Sequence, residues 1–268
     1  MTVFSHPPQS SADWIAYFRA NAAALLSVPW HEGAGITDAE RAAITSSVQA
    51  FQLGESGEGH HIFHCAREYI ASGGDAEYLP ALRLFIAEEQ RHGRDLARFL
   101  TMAGVPLIQK TWTDSLFRWL RHQAGLDLSI TVLVAAEVIA LIYYEALRNA
   151  TGSAVLRRLC DQILSDEVAH IRFQSERLAL IRQHRAGWQI PFINGWQRFL
   201  FTGICLAVWW THGRVYRTGG FGFRRFWRES WRAMEHSLRL MDPRAYSFVS
   251  AEAEAEMVVE REQEPVGV

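Results

Sequence analysis

Glu-x-x-His occurs at Glu89/His92 and again at Glu167/His170. On a helix this spacing points a carboxylate and an imidazole to one side, a turn apart. Together they can offer an oxygen and a nitrogen to a single metal ion. Taken singly the motif is weak, and a third copy at Glu58/His61 shows how readily it arises. A lone carboxylate inside an uncharged run says more. Glu137 is such a case, because Thr131 to Tyr144 holds no other charge. An ionised carboxylate buried in that run costs several kcal/mol unless a cation compensates it.

Helices are needed to position these groups, and the middle of the chain reads at a helical period. Thr37, followed three residues later by Glu40, can satisfy two free amides and marks a helix start. That first helix is expected to run to Ala71, where Ser72-Gly73-Gly74-Asp75 stops it, although Gly54, Gly57 and Gly59 weaken it. A second is expected from Glu77 to Met102, ended by Gly104 and Pro106. A third should span Leu126–Asn149, and a fourth Ala154–His184. Each carries apolar residues at i, i+3, i+4 and i+7, the stripe that faces a core. Short turns join the first helix to the second and the third to the fourth, so each pair must be an antiparallel hairpin. The stretch Val105–Gly125, with a short helix expected at Asp114–His122, is long enough to cross the length of a bundle. Two hairpins and one long crossover give a ferritin-like four-helix bundle. Ala12–Leu26 is expected to be a further packing helix.

In this arrangement the turn near Gly73 brings Glu89 level with Glu58. The turn near Gly152 brings Glu167 level with Glu137. The carboxylates also sit within the apolar stripes. Phe51, Glu55, Glu58, Ile62, Cys65 and Tyr69 form one stripe; Ile130, Glu137, Leu141 and Tyr144 form another. Four carboxylates buried at one level are untenable without cations, and two divalent ions would offset them while the two imidazoles complete their shells. Cys65 and Tyr144 each follow a lone Glu by about two turns and are candidate pocket residues.

The segments Glu88-Glu89-Gln90-Arg91-His92 and Asp166-Glu167-Val168-Ala169-His170, each with a Glu on a partner helix, resemble the ferritin-like di-iron carboxylate superfamily. The resemblance covers roughly residues 38–184. It implies metal ligands Glu58, Glu89, His92, Glu137, Glu167 and His170, with Glu55 one turn from Glu58 as replacement or seventh ligand. It also implies that Asp166 and Glu88 orient the histidines from outside the ligand shell. Ala136–Tyr144 and Ile171-Arg172-Phe173 are locally similar to aldehyde-deformylating oxygenases. A rubredoxin-type Cys-x-x-Cys is lacking, and Leu96 stands where ribonucleotide-reductase small subunits carry a radical Tyr. The resemblance implies two Fe ions, with Mn or a mixed Mn/Fe pair also compatible with these ligands. The expected function is an oxidoreductase that uses O2 or peroxide and an electron donor to oxidise an organic substrate. A ferroxidase or iron store, and a non-catalytic helical scaffold, are the alternatives.

The rest of the chain bounds this reading. At 268 residues and 49% hydrophobic composition it can bury a sizeable core, and a net charge of −2 gives no overall case for nucleic acid. Three scattered cysteines are a poor disulfide framework and fit a reducing, cytoplasmic setting. The longest apolar stretch, Phe199–Trp210, is short for a membrane span. We read an accessory segment over 1–36, the bundle over 37–186, a Trp/Arg-rich helical extension over 187–250 and an acidic disordered tail over 251–268. The extension is expected to cover a bundle end, shape a channel or form a homodimer contact. Its basic, aromatic stretch 212–232 has a composition that suits nucleic acid or an anionic membrane surface. Packing of those aromatics onto the bundle is the favoured reading.

Overall fold

The computed structural model describes residues 7–111 and 125–246, and among these residues the chain is helical without strands. The expected helix Asp114–His122, much of the crossover and the acidic tail lie outside the described residues. Helix α1 is Ser11–Ala23, opened by a reciprocal cap between Ser10 and Asp13. Helix α2 is Asp38–Glu55, and its start carries the anticipated Thr37/Glu40 capping box. Here the expectation of one continuous first helix is corrected. The chain leaves the helix at Ser56 and re-enters it as α3, His60–Ala71. Gly59 has φ +68°, a left-handed conformation that glycine adopts at no steric cost, and it fixes the new direction.

Helices α4 (Tyr78–Met102), α5 (Leu126–Asn149) and α6 (Ala154–Arg182) fall close to their expected bounds. The extension forms α7 (Gln189–Thr218) and α8 (Phe223–Leu240). Helix α5 packs along α6, α2 along α4, and α4 also touches α6. Contacts from Gln49 to the Pro106 carbonyl and from Gln52 to the Gly93 carbonyl show that α2 and α4 run antiparallel. Helix α1 lies on α4, while α7 lies on α5 and α2. By length and composition alone α5 could cross a membrane, yet 78% of its most apolar window is buried by the neighbouring helices. It is the central core helix here.

The core is apolar and aromatic almost throughout, with Phe85, Phe99, Tyr143, Phe173 and Phe201 fully buried. Within the 212–232 stretch Tyr216, Phe221 and Phe226 are buried and Trp227 and Trp231 half-buried, so these aromatics pack on the protein. All three cysteines are free and buried.

Candidate metal centre

Four helices converge on one buried polar cluster. Helix α2 contributes Glu55 from its last turn, α4 contributes Glu89 and His92, α5 contributes Glu137, and α6 contributes Glu167 and His170. Their ligand atoms fall into two overlapping groups, Glu55/Glu89/His92/Glu167 and Glu89/Glu137/Glu167/His170, each within 4.8 Å. Glu89 and Glu167 belong to both groups and stand between them. The structure therefore brings together five of the six residues named first from the sequence, with Glu55 in place of Glu58. Glu58 lies in the break between α2 and α3, 72% exposed and paired with His60 at 2.5 Å. The break is the physical cause, since residues beyond Glu55 no longer follow the helical stripe.

Close approach of α2 to α4 depends on Gly93. A Cβ at that position would lie 2.7 Å from Ser56 Oγ and 3.2 Å from the Glu55 carbonyl carbon, so any side chain would push the end of α2 away. Glu55 is also held by Tyr144, whose hydroxyl donates to Glu55 Oε1 at 2.6 Å.

The histidines are oriented from outside the cluster, and the contacts cross between helices. His92 Nε2 donates to Asp166 Oδ2 at 2.9 Å, and His170 Nε2 donates to Glu88 Oε2 at 3.0 Å. Because an ionised carboxylate only accepts, each ring carries a proton on Nε2 and turns Nδ1 inward. Asn21 of α1 joins the two acids, donating to Glu88 Oε1 at 2.7 Å and Asp166 Oδ1 at 2.8 Å. Arg91 and Gln162 also donate to Asp166. Burial raises the Asp166 pKa, but the bonds from His92, Arg91 and Asn21 outweigh it and hold the carboxyl well below its usual range.

Inside the cluster the balance is reversed. Burial, then the Glu89 charge, pushes Glu55 well above the usual carboxylate range. Burial and Glu137 raise Glu89, and burial foremost raises Glu167 to about 7. For His170, burial disfavours the charged ring, but hydrogen bonds to Glu167, Glu88 and Glu89 outweigh it and raise the pKa. His170 Nδ1 lies 3.0 Å from Glu89 Oε1 and 3.6 Å from Glu167 Oε2, and His92 Nδ1 lies 3.7 Å from Glu89 Oε1, so the inward atoms of the cluster face one another. A convergent set of buried carboxylates calls for a cation. The donor set fits a metal centre, as mixed carboxylate and imidazole ligands without thiolate suit Fe, Mn or Zn.

An apolar cavity of about 180 Å³ adjoins the cluster and shares Glu55, Glu89 and Glu137 with it. Phe51, Phe85 and Ile139 form part of its wall, and α7 adds Val208 and His212. His212 bonds through Nδ1 to Ser47 Oγ at 2.7 Å, and burial lowers its pKa to about 4, so the ring is neutral. The two pocket candidates from the sequence are elsewhere. Tyr144 meets Glu55 rather than the cavity, and Cys65 is buried against His61 and Ser129. The sequence reading missed Asn21, Arg91, Gln162 and His212. Of these only Arg91 carried a local signal, as it lies within the first Glu-x-x-His segment.

Compared with protein-family models, curated proteins and solved structures, the chain matches none.

Proposed function

We propose that the protein is a di-iron carboxylate oxidoreductase of ferritin-like architecture that uses O2 or peroxide to oxidise an apolar organic substrate. The observation that carries this reading is the pair of overlapping four-residue groups of Glu and His, whose two histidines are each held from outside by a carboxylate. Glu55 and His92 would hold one ion, Glu137 and His170 the other, and Glu89 and Glu167 would lie between them. Reduced iron, when bound, supplies electrons to the oxidant. The chain's own residues do the rest. Asp166 and Glu88 keep a proton on Nε2 of His92 and His170, so Nδ1 is the ring atom that would coordinate a metal. Tyr144 donates to Glu55 and, with its pKa raised by burial and by Glu55, keeps its proton. The largely apolar wall of the cavity suits an organic substrate better than hydrated ferric ion. That cavity is what favours an enzyme over an iron store. The convergent acids and imidazoles count against a scaffold without metal.

The test is metal stoichiometry followed by aerobic titration. Purified protein loaded anaerobically should hold about two Fe(II) per chain, and Glu89→Ala with Glu167→Ala should abolish this. Less than about half an ion per chain would overturn the di-metal reading. On aerobic addition of Fe(II), retained Fe(III) should saturate near two per chain. Retention of tens of irons per chain would promote the store.

A further inference from the structure

Helix α7 presents two faces of opposite use. Its inner face buries Phe201 and Cys205 and lends Val208 and His212 to the cavity. Its outer face, continued from its N-cap residue, carries Trp188, Phe192, Trp196, Phe199, Leu206 and Trp210, exposed by 69, 72, 56, 70, 52 and 88%. Spacings of three, four and seven residues stack these side chains on one narrow strip. At 1.5 Å rise per residue the strip is about 33 Å long. Gly195 and Gly203 lie along it and have nothing within 4 Å. With aromatic side chains of roughly 150–250 Å² each, the strip exposes on the order of 700 Å² of apolar surface. Soluble monomers rarely leave that much contiguous apolar surface in water.

Charge decides what covers it. The 30 residues of α7 contain no Asp or Glu. Arg214 and Arg217 continue the strip beyond Trp210 and are exposed. At the other end Arg185, the half-exposed partner of Asp127, is the basic group at the surface, while Arg182 meets Asp127 from the interior. Beside the C-terminal end, Phe223 packs its ring 5.3 Å from Trp209 and is followed by exposed Arg224. The strip is thus uncharged in its middle and basic at both ends. A second copy laid antiparallel would set Arg214 and Arg217 against the Arg185 end, and a parallel copy would set each arginine against itself. Like charges in register oppose either pairing. A negatively charged planar surface satisfies both ends together.

We infer that α7 is a membrane-docking helix whose outer face lies in the plane of an anionic lipid bilayer. The Trp and Phe side chains enter the boundary between headgroups and acyl chains, where aromatic rings are favoured. Arg214 and Arg217 reach lipid phosphates, each contributing attraction to an anionic surface.

Vesicle sedimentation with the full chain tests this. Wild type should bind vesicles of phosphatidylcholine with about a third phosphatidylglycerol at least tenfold more tightly than phosphatidylcholine alone, as two arginines predict. Trp196→Glu with Phe199→Glu should lose binding by tenfold or more, and Arg214→Glu with Arg217→Glu should reduce it to the neutral-vesicle level. Trp210→Ser, at the most exposed position, should weaken binding several-fold and provides the measurement if the double variant does not fold. Glu89→Ala with Glu167→Ala should sediment like wild type, which separates docking from the metal reading. Failure of wild type to bind anionic vesicles, or equal binding by wild type and both aromatic variants, overturns the proposal. So does a concentration-dependent dimer in ultracentrifugation that the same variants dissociate, because the strip would then belong to a second copy.

Discussion

Helix α6 buries charge in two places and treats it differently. Near its C-terminal end Arg182, 1% exposed, donates to Asp127 at 2.6 Å, to Thr131 Oγ1 at 2.9 Å and to Gln197 Oε1 at 3.4 Å. Gln197 in turn donates to Thr131 at 3.2 Å, closing the network. Burial raises the Asp127 pKa, but Arg182 and Arg185 outweigh it and hold the carboxyl low. About four turns earlier, Glu167 is equally buried and its pKa is raised, with no guanidinium beside it. The first region contains its own cation; the second gathers groups that could hold a metal ion. Unpartnered buried atoms elsewhere, such as the Tyr78 and Tyr216 hydroxyls, are single groups on separate side chains. Among the described residues, ligand atoms of acids and histidines converge within ligand distance at the cluster. Buried charge is therefore no sign of function by itself. A buried charge whose partners are all carboxylates and imidazoles is.

The comparison breaks most visibly in unfolding experiments on metal-free protein. Arg182→Met removes the buried cation of a satisfied network, leaving Gln197 without it and Asp127 with the more exposed Arg185 alone, and should cost about 3 kcal/mol. Glu167→Gln removes a charge the metal-free fold cannot compensate, and should be neutral or stabilising by on the order of 1 kcal/mol. The sign with pH follows. Glu167 titrates near 7 in the folded chain and near 4.3 when unfolded, so between these values the folded state holds the extra proton. Stability of the metal-free protein should then fall as pH rises across that window, and Glu167→Gln should flatten the fall. Bound metal reverses the slope, since protons compete with it for the same atoms. Denaturant midpoints from pH 5 to 8, with and without metal, measure both slopes. Strong destabilisation of metal-free protein by Glu167→Gln would mean that Glu167 is held by a structural bond and not awaiting an ion.

A smaller effect is expected one layer out, at Asn21. Its amide nitrogen donates to both Glu88 and Asp166, so one side chain steadies the two acids that orient the two histidines. Asn21→Leu should weaken metal binding roughly tenfold, the lower range for such outer partners, while leaving the helical fold intact. Competition with a chelator reads the affinity, and circular dichroism reads the fold. A loss of helix equal to the loss of metal would make Asn21 a packing residue only.

Asn21 also marks where sequence reading stops. The long helices were legible because each is a long helical run that ends just before a Gly, as α5 and α4 do at Gly152 and Gly104. The paired Glu-x-x-His segments were legible because their spacing is local to one helix. Asn21 meets Asp166 across 145 residues of sequence, and no periodicity records that contact. His212 is similar, reaching Ser47 across 165 residues from a helix whose place on the core was open. Tyr144 was singled out for the right helix face, but its hydroxyl turns to Glu55 and not to the cavity.

The smallest expected effect is at Glu58, and it tests the helix-one register directly. Counting from the turn near Gly73 at a constant 1.5 Å rise puts Glu58 level with Glu89. That count requires an unbroken helix, and the chain leaves the helix between Glu55 and His60. The two residues share a sign and a helical stripe, so composition could not separate them; only the break does. Glu58 now meets His60 in a contact open to water, worth at most a few tenths of a kcal/mol. Glu58→Ala should therefore change metal affinity by less than about twofold, whereas Glu55→Ala should lower it at least tenfold. The double variant should match Glu55→Ala alone, because independent distant effects add and one of them is near zero. If Glu58→Ala instead lost as much metal as Glu55→Ala, the segment Ser56–Gly59 would have to wind into helix when the ions bind. Gly59 at φ +68° would then have to return to negative φ, and Glu58 would swing from solvent to the cluster. Glu55→Ala with Gly59→Ala separates these outcomes, since alanine favours the rewound helix and would rescue metal binding only through Glu58.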